Sequence, residues 1–216
     1  MSPALSLYYH PLASYCWKVL IALYENETPF VPRMVDLGDE AQRNALLKLW
    51  PLGKFPVLHD EAAGRVVPES SVIIEYLGAH HPGRTRFIPV ERDAALEVRL
   101  QDRFFDQQIH EAMQKHVGDK LRPEGQHDPY GVEQAHRQLE RAYGILESTL
   151  ERRTWAAGEA FTLADCAAAP ALYYANLVHP LGVHGRVAAY LELLAARPSF
   201  ARVLVEAEPY FKSFPG

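Results

Sequence analysis

Apolar and polar positions follow two different rhythms along this chain. In the first eighty residues, short apolar runs of strand length alternate with segments of helical period. Leu5 to Tyr9 reads as a buried strand, Ser14 to Tyr24 as a helix with Val19, Leu20 and Leu23 along one side, and Phe30 to Met34 as a second strand. Two strands joined by a helix-length connection imply a parallel pair. Asp39 to Leu49 follows as a short helix. Val57-Leu58-His59 and Arg65-Val66-Val67 then flank a turn at Asp60 to Gly64 and read as a hairpin, and Ser71 to His80 closes the segment as a helix. The expected order is β-α-β-α-β-β-α.

The rhythm changes after His81-Pro82-Gly83-Arg84, which breaks the helix and opens a polar linker reaching Arg92. Beyond it the strand signals stop. Asp93 to Val117 keeps a helical period through Leu96, Leu100, Phe104 and Ile109, and Gly131 to Glu151 repeats it with Leu139, Ala142, Tyr143, Leu146 and Leu150. Thr162-Leu163-Ala164-Asp165 has the spacing of a capping box ahead of an Ala-rich helix to about Val178, with a kink expected at Pro170. Asp165 is expected to be structural, as the acid of that box. Gly185 to Ala196 and Ser199 to Glu206 add two shorter helices. The pattern divides the chain into a small α/β domain over 1–80, a linker over 81–92 and an all-helical domain over 93–216.

Composition narrows the class of protein. Of 216 residues, 48% are hydrophobic, enough for a real core, and the formal charge of -5 argues against a generic nucleic-acid binder, which favours a basic face. Only two cysteines, Cys16 and Cys166, are present and far apart, which points to a reducing cytoplasm and away from a disulfide framework. The apolar run Val19 to Leu23 is bounded by Lys18 and Glu25, far short of the roughly 20 residues of a membrane span. Ten histidines raise the question of a metal, but His110 and His116 are not at i,i+4 spacing and no cysteine or carboxylate framework joins them, so none is expected.

Three short pieces carry the candidate chemistry, and each suits a different part of one small peptide. Ser14 falls where a strand turns into a helix; main-chain N–H groups at a helix start stabilise an anion, and a hydroxyl there either caps the helix or donates to a bound thiolate. Phe55-Pro56 stands between a loop and a strand. It is either an edge proline or a cis bend that frees the Phe55 main chain to pair with an extended peptide. Glu69-Ser70 precedes a helix, either as a cap with a dipole-complementing acid or as a holder for a ligand bearing ammonium and carboxylate on one carbon.

Together these pieces resemble the glutathione transferase family over nearly the whole chain. The strand-turn-helix start is similar to the family's Ser-containing catalytic loop, and Lys54-Phe55-Pro56-Val57 to its cis-proline segment. Pro68-Glu69-Ser70-Ser71-Val72 resembles its γ-glutamyl-binding helix start, and Phe161-Thr162-Leu163-Ala164-Asp165 the capping box of its helical domain. The resemblance implies an α/β thioredoxin-like N-terminal domain, an all-α C-terminal domain and a homodimer. It implies that Phe55, followed by Pro56, pairs with the cysteinyl part of glutathione, that Glu69 and Ser70 hold the γ-glutamyl head, and that Lys54 lies near the glycyl end.

The catalytic position departs from the serine-type pattern. There the thiol-activating hydroxyl lies three residues before the position of Cys16; here that residue is Ala13, and the hydroxyl is one residue later at Ser14. Ser14 is the expected catalytic residue. An apolar electrophile is expected between the domains, with Tyr9 and Leu12 on one wall and Phe104, Phe105, His110, Met113, Tyr173 and Tyr174 on the other, although aromatics at helical spacing read equally as core. Arg99, Arg103 and Asp106 read as a solvated helix face or as charged contacts across a dimer. The leading expectation is conjugation of glutathione to a small apolar electrophile without a metal. Glutathione-assisted isomerisation or reduction, and a binding or regulatory role lacking chemistry, are the alternatives.

Overall fold

A computed structural model describes residues 4–214. Four strands, β1 (Leu5–Tyr9), β2 (Val31–Met34), β3 (Val57–Asp60) and β4 (Arg65–Pro68), form one sheet in the order β2-β1-β3-β4. β1 and β2 are parallel and the other two pairings antiparallel, with Leu7 opposite both Pro32 and Leu58. Pro32 is tolerated because β2 is an edge strand.

Alternation along the strands divides two hydrophobic layers. Leu5, Leu7, Leu58 and Val67 face the main core with α1 (Ser14–Glu25) and α3 (Ser70–His80), whereas Tyr8, Val57 and Val66 face a smaller cluster closed by Leu46 of α2 (Glu40–Leu49). Helix α1 is buried almost all round, Cys16 through Leu23 without exception, because the sheet lies on one side and the helical domain on the other. A one-sided stripe therefore understates its burial.

The segment between the domains is anchored. Phe87 is buried and its carbonyl accepts from the Leu163 N–H at 3.0 Å. The Asn26 side chain makes two hydrogen bonds to the Thr85 main chain, at 3.0 and 2.7 Å. A Cβ on Gly83 would lie 2.4 Å from that Asn26 side chain, so only glycine fits the approach.

The helical domain comprises α4 (Arg92–Phe104), α5 (Glu111–Lys120), α6 (Pro129–Thr149), α7 (Leu163–Val178), α8 (Gly185–Ala195) and α9 (Pro198–Ala207), with a 3-10 turn over Glu208–Ser213. The long helix expected from Asp93 to Val117 is interrupted: Phe105–His110 is a π-helical segment between α4 and α5. Such segments re-aim side chains and recur at functional sites. Helix α7 runs on through Pro170 as one element. Its capping box is formed, and Asp165 also accepts from the Ala156 N–H at 2.8 Å and the Tyr190 hydroxyl at 2.5 Å, tying α8 to the start of α7. Among the described residues, no helix is long and apolar enough to cross a membrane.

Candidate active site

The β1–α1 connection ends at Ala13, whose extended φ of -83° and ψ of 113° start the helix with no side-chain cap. The N–H groups of Cys16 and Trp17 both reach the Ala13 carbonyl, at 2.8 and 3.1 Å, whereas those of Ser14 and Tyr15 have no acceptor among the described residues. Two free donors with the helix dipole behind them favour an anion at this point.

The Phe55-Pro56 bond is cis, and both residues lie just ahead of β3. On the far side of β4, Glu69 precedes α3 with a positive φ of 69° and no capping bond from its carboxylate. Gly53, also left-handed at φ 62°, turns the chain ahead of Lys54. These loops meet on one cavity of about 550 Å³, within the range of small-molecule sites. Lys54, Phe55, Pro56, Glu69 and Ser70 all line it, together with Trp50 and with Tyr15 from the first turn of α1.

Its opposite wall belongs to the helical domain. Lys18 is fully buried beneath this wall. Its Nζ lies 2.5 Å from Asp102 Oδ1, as an ion pair without hydrogen-bond alignment, and donates to both Asp106 oxygens and to Ser71 Oγ at 2.9–3.1 Å. Arg103 donates to Asp102 Oδ2 at 2.8 Å, Asp106 Oδ2 at 2.7 Å and Ser71 Oγ at 2.5 Å. Burial pushes the Asp106 carboxyl above its ordinary range, against the opposing pull of Lys18. Arg103 and Asp106, read from the sequence as a solvated helix face or as contacts across a dimer, are engaged within the chain, and Arg99 pairs bidentately with Glu75 at 2.9 and 2.7 Å.

Ser14 does not line the cavity. Its hydroxyl is buried and hydrogen-bonded to His110 Nε2 at the end of the π segment. His110 is neutral at ordinary pH, because burial, aided by the charge on Lys18, pushes it down to about 3. Its Nδ1 is buried with no partner among the described residues. The Tyr15 ring packs on the same imidazole, with centroids 4.1 Å apart.

The expected electrophile wall is mostly core. Phe105, Met113 and Tyr174 are 0–1% exposed, because the π segment and α7 are packed between α1 and the rest of the helical bundle. Tyr9 and Phe104 are half-buried against that core. Tyr173 and Tyr174 stack around Trp17 with Phe211, and the Tyr174 hydroxyl donates to the Leu12 carbonyl at 2.9 Å. None of these eight residues lines the cavity above. The wall beside Tyr15 is instead Gln107 and Glu111, which helical periodicity reads only as a solvated face. Trp50 and Tyr15 were also outside the expected set. Lys18 carried a detectable signal, a lone cation heading a continuous apolar run. Burial pushes both cysteine thiols up, so neither is a thiolate at neutral pH.

The mixed sheet with a bundle on one side is that of a thioredoxin-like domain followed by a helical domain. Residues 7–85 match the family description "Glutathione S-transferase, N-terminal domain", and residues 129–204 "Glutathione S-transferase, C-terminal domain". The chain is 34% identical to glutathione S-transferase 3 of Zea mays over 214 residues, covering 94% of each chain. It is 29% identical to FtsZ-localized protein A of Caulobacter vibrioides, covering 97% of this chain and 94% of that one. A glutathione S-transferase from Methylobacillus flagellatus, solved with glutathione bound, superposes with a TM-score of 0.84 at 28% identity, covering 92% of this chain and 98% of that one. The chain belongs to the glutathione S-transferase family.

Proposed function

We propose that this protein binds glutathione in the cavity between the domains and transfers its thiolate to a small electrophile. One observation carries the reading: two separate loops, Lys54 to Pro56 and Glu69-Ser70, meet on a single cavity at the start of α1. The γ-glutamyl ammonium pairs with Glu69, its carboxylate with the Ser70 hydroxyl and the first turn of α3, and the glycyl carboxylate with Lys54. The cysteinyl main chain lies along Phe55, which leaves the thiol at the free N–H groups of Ser14 and Tyr15.

A free thiol of pKa about 8.5 is only roughly 3% thiolate at pH 7. Lowering that pKa by two units takes about 2.7 kcal/mol. One charge-assisted hydrogen bond supplies roughly 1.5–3 kcal/mol and a helix N-terminus adds about 0.3–1 kcal/mol, so no general base is needed. The second substrate meets the rings of Tyr15 and Trp50 alongside Gln107 and Glu111, which suits an apolar body bearing a polar group. The same thiolate would serve isomerisation or reduction.

The second copy of a homodimer fits the face of α3 and α4. Val72, Leu96 and Leu100 are 54–63% exposed there, around the Arg99–Glu75 pair. A binding or regulatory role is the second reading. It is favoured by Ala13 at the serine-type catalytic position and by the likeness to a protein named for its localisation with FtsZ. Calorimetry with glutathione, followed by a screen of electrophiles, tests both. Binding that is lost in Glu69→Ala together with measurable conjugation supports the transferase; binding without turnover supports the second reading. No binding at all removes both.

A further inference from the structure

Two hydroxyl side chains stand on consecutive residues at the start of α1, and only one of them reaches the cavity. Ser14 turns into the domain interface, where His110 Nε2 engages it. Tyr15 turns into the cavity with Lys54, Phe55, Pro56, Glu69 and Ser70. The reason is helical geometry: adjacent positions differ by about 100° in direction, so both cannot face one opening.

The Tyr15 hydroxyl is uncommitted. The buried tyrosines Tyr76, Tyr143, Tyr174 and Tyr190 donate to Asp60, the His179 carbonyl, the Leu12 carbonyl and Asp165 respectively. Tyr15, half-buried, makes no side-chain hydrogen bond among the described residues, although its ring is held at 4.1 Å from the His110 imidazole. A fixed ring with a free O–H facing a cavity is a donor available to a ligand acceptor. Burial first, and then the carboxylates of Asp106 and Glu111, keep the phenol protonated. The Asp106 charge is itself met by Lys18 and Arg103, and Glu69 would be met by the γ-glutamyl ammonium, which leaves Glu111 as the carboxylate acting on Tyr15 that no cation pairs with among the described residues.

We infer that Tyr15, and not Ser14, gives the side-chain hydrogen bond to the glutathione thiolate, with His110 as the positioning residue that turns the Ser14 hydroxyl away and holds the Tyr15 ring in the cavity. The inference rests on the glutathione reading above. The thiol proton leaves to solvent, and the phenolic proton stays on oxygen and is shared with sulfur. The sulfur lone pair then forms the bond to the electrophilic carbon as a leaving group departs with its bonding pair or as a π bond opens and its pair takes a proton from solvent. His110 changes neither charge nor proton count in this step.

The test is a pH titration of the thiolate ultraviolet band of bound glutathione, with a parallel calorimetric Kd, in the wild type and in Tyr15→Phe, Ser14→Ala, His110→Ala and the Tyr15→Phe/His110→Ala double variant. Tyr15→Phe is expected to bind glutathione and to raise the apparent thiol pKa by about one unit, a roughly tenfold loss of thiolate. Ser14→Ala is expected to move it less. His110→Ala should raise it while Tyr15 is present and add nothing in the Tyr15→Phe background. A larger shift in Ser14→Ala than in Tyr15→Phe overturns the inference, as does additivity of the Tyr15 and His110 changes. Loss of glutathione binding in Tyr15→Phe also overturns it, by making the residue a binding group. Failure of the wild type to bind glutathione is seen separately in the calorimeter and removes the underlying reading.

Discussion

At the scale of single residues, Glu69 is held where few side chains rest. A φ of 69° in a residue other than glycine costs about 1–3 kcal/mol, and such strain persists where the surroundings and function demand it. Here it places an uncapped carboxylate on the cavity beside the start of α3. Glycine relieves the strain but loosens the unfolded chain by about 0.4–1 kcal/mol. Glu69→Gly is therefore expected to melt at the wild-type temperature or slightly above it, while losing glutathione affinity at least tenfold in calorimetry. A marked fall in melting temperature would show that the conformation is not strained. In the sequence, Glu69-Ser70 before a helix reads either as a cap or as a candidate ligand holder, and the structure places both residues on the cavity. The left-handed turn was not legible there, since glutamate carries no signal for it.

At the scale of elements, α1 is the hinge of the site. Its outward face carries two polar rungs onto the π segment, Ser14 to His110 and Lys18 to Asp106, each pair four residues apart on both elements. Removing one member of a buried ion cluster leaves uncompensated charge and costs roughly 3–5 kcal/mol. Lys18→Met is expected to lose about that much in urea unfolding, because Asp102 and Asp106 would then share only Arg103. Adding Asp102→Asn and Asp106→Asn should restore much of it. A loss below about 1 kcal/mol, the range of an exposed pair, would mean that the cluster does not hold the domains together. Helical period identified α4 and α5 as one long apolar-striped segment. It could not show the π insertion, because an added residue per turn leaves composition unchanged and only alters which side chains face α1.

For the whole molecule, His110 sets an acid limit. Its folded value, about 3, lies below the ordinary 6.5, so the unfolded chain takes up a proton that the native state refuses. Its effect on stability is absent above about pH 6.5 and grows as pH falls, by about 1.4 kcal/mol per pH unit down to the folded value. Burial also lowers His116 and His136, which bond to each other at 2.9 Å between α5 and α6 and act in the same direction. Unfolding free energy measured from pH 7 to 4 should fall steeply, and His110→Asn should reduce that slope by about one proton. An unchanged slope would mean that His110 protonates freely in the native state. The exposed face of α3 and α4 makes a second statement at this scale. The wild type is expected to sediment at twice the chain mass and Leu100→Glu at the chain mass; a monomeric wild type refutes the dimer.

The sequence by itself determined the order of strands and helices apart from the π segment, the break near Pro82, the capping box at Thr162 and the residues of the two loops that meet on the cavity. Each of these is local: a period, a turn residue or a cap spans a few positions and needs no partner to be read. The tertiary structure decided what depends on two distant segments meeting. Packing against α7 and the π segment buried Phe105, Met113 and Tyr174, which share their apolar character with any pocket lining. It anchored the linker through Phe87 and Thr85, and it neutralised Lys18 with residues more than eighty positions away. Between Ser14 and Tyr15, both hydroxyls at one helix start, only the placement of His110 separates the one buried in the interface from the one in the cavity.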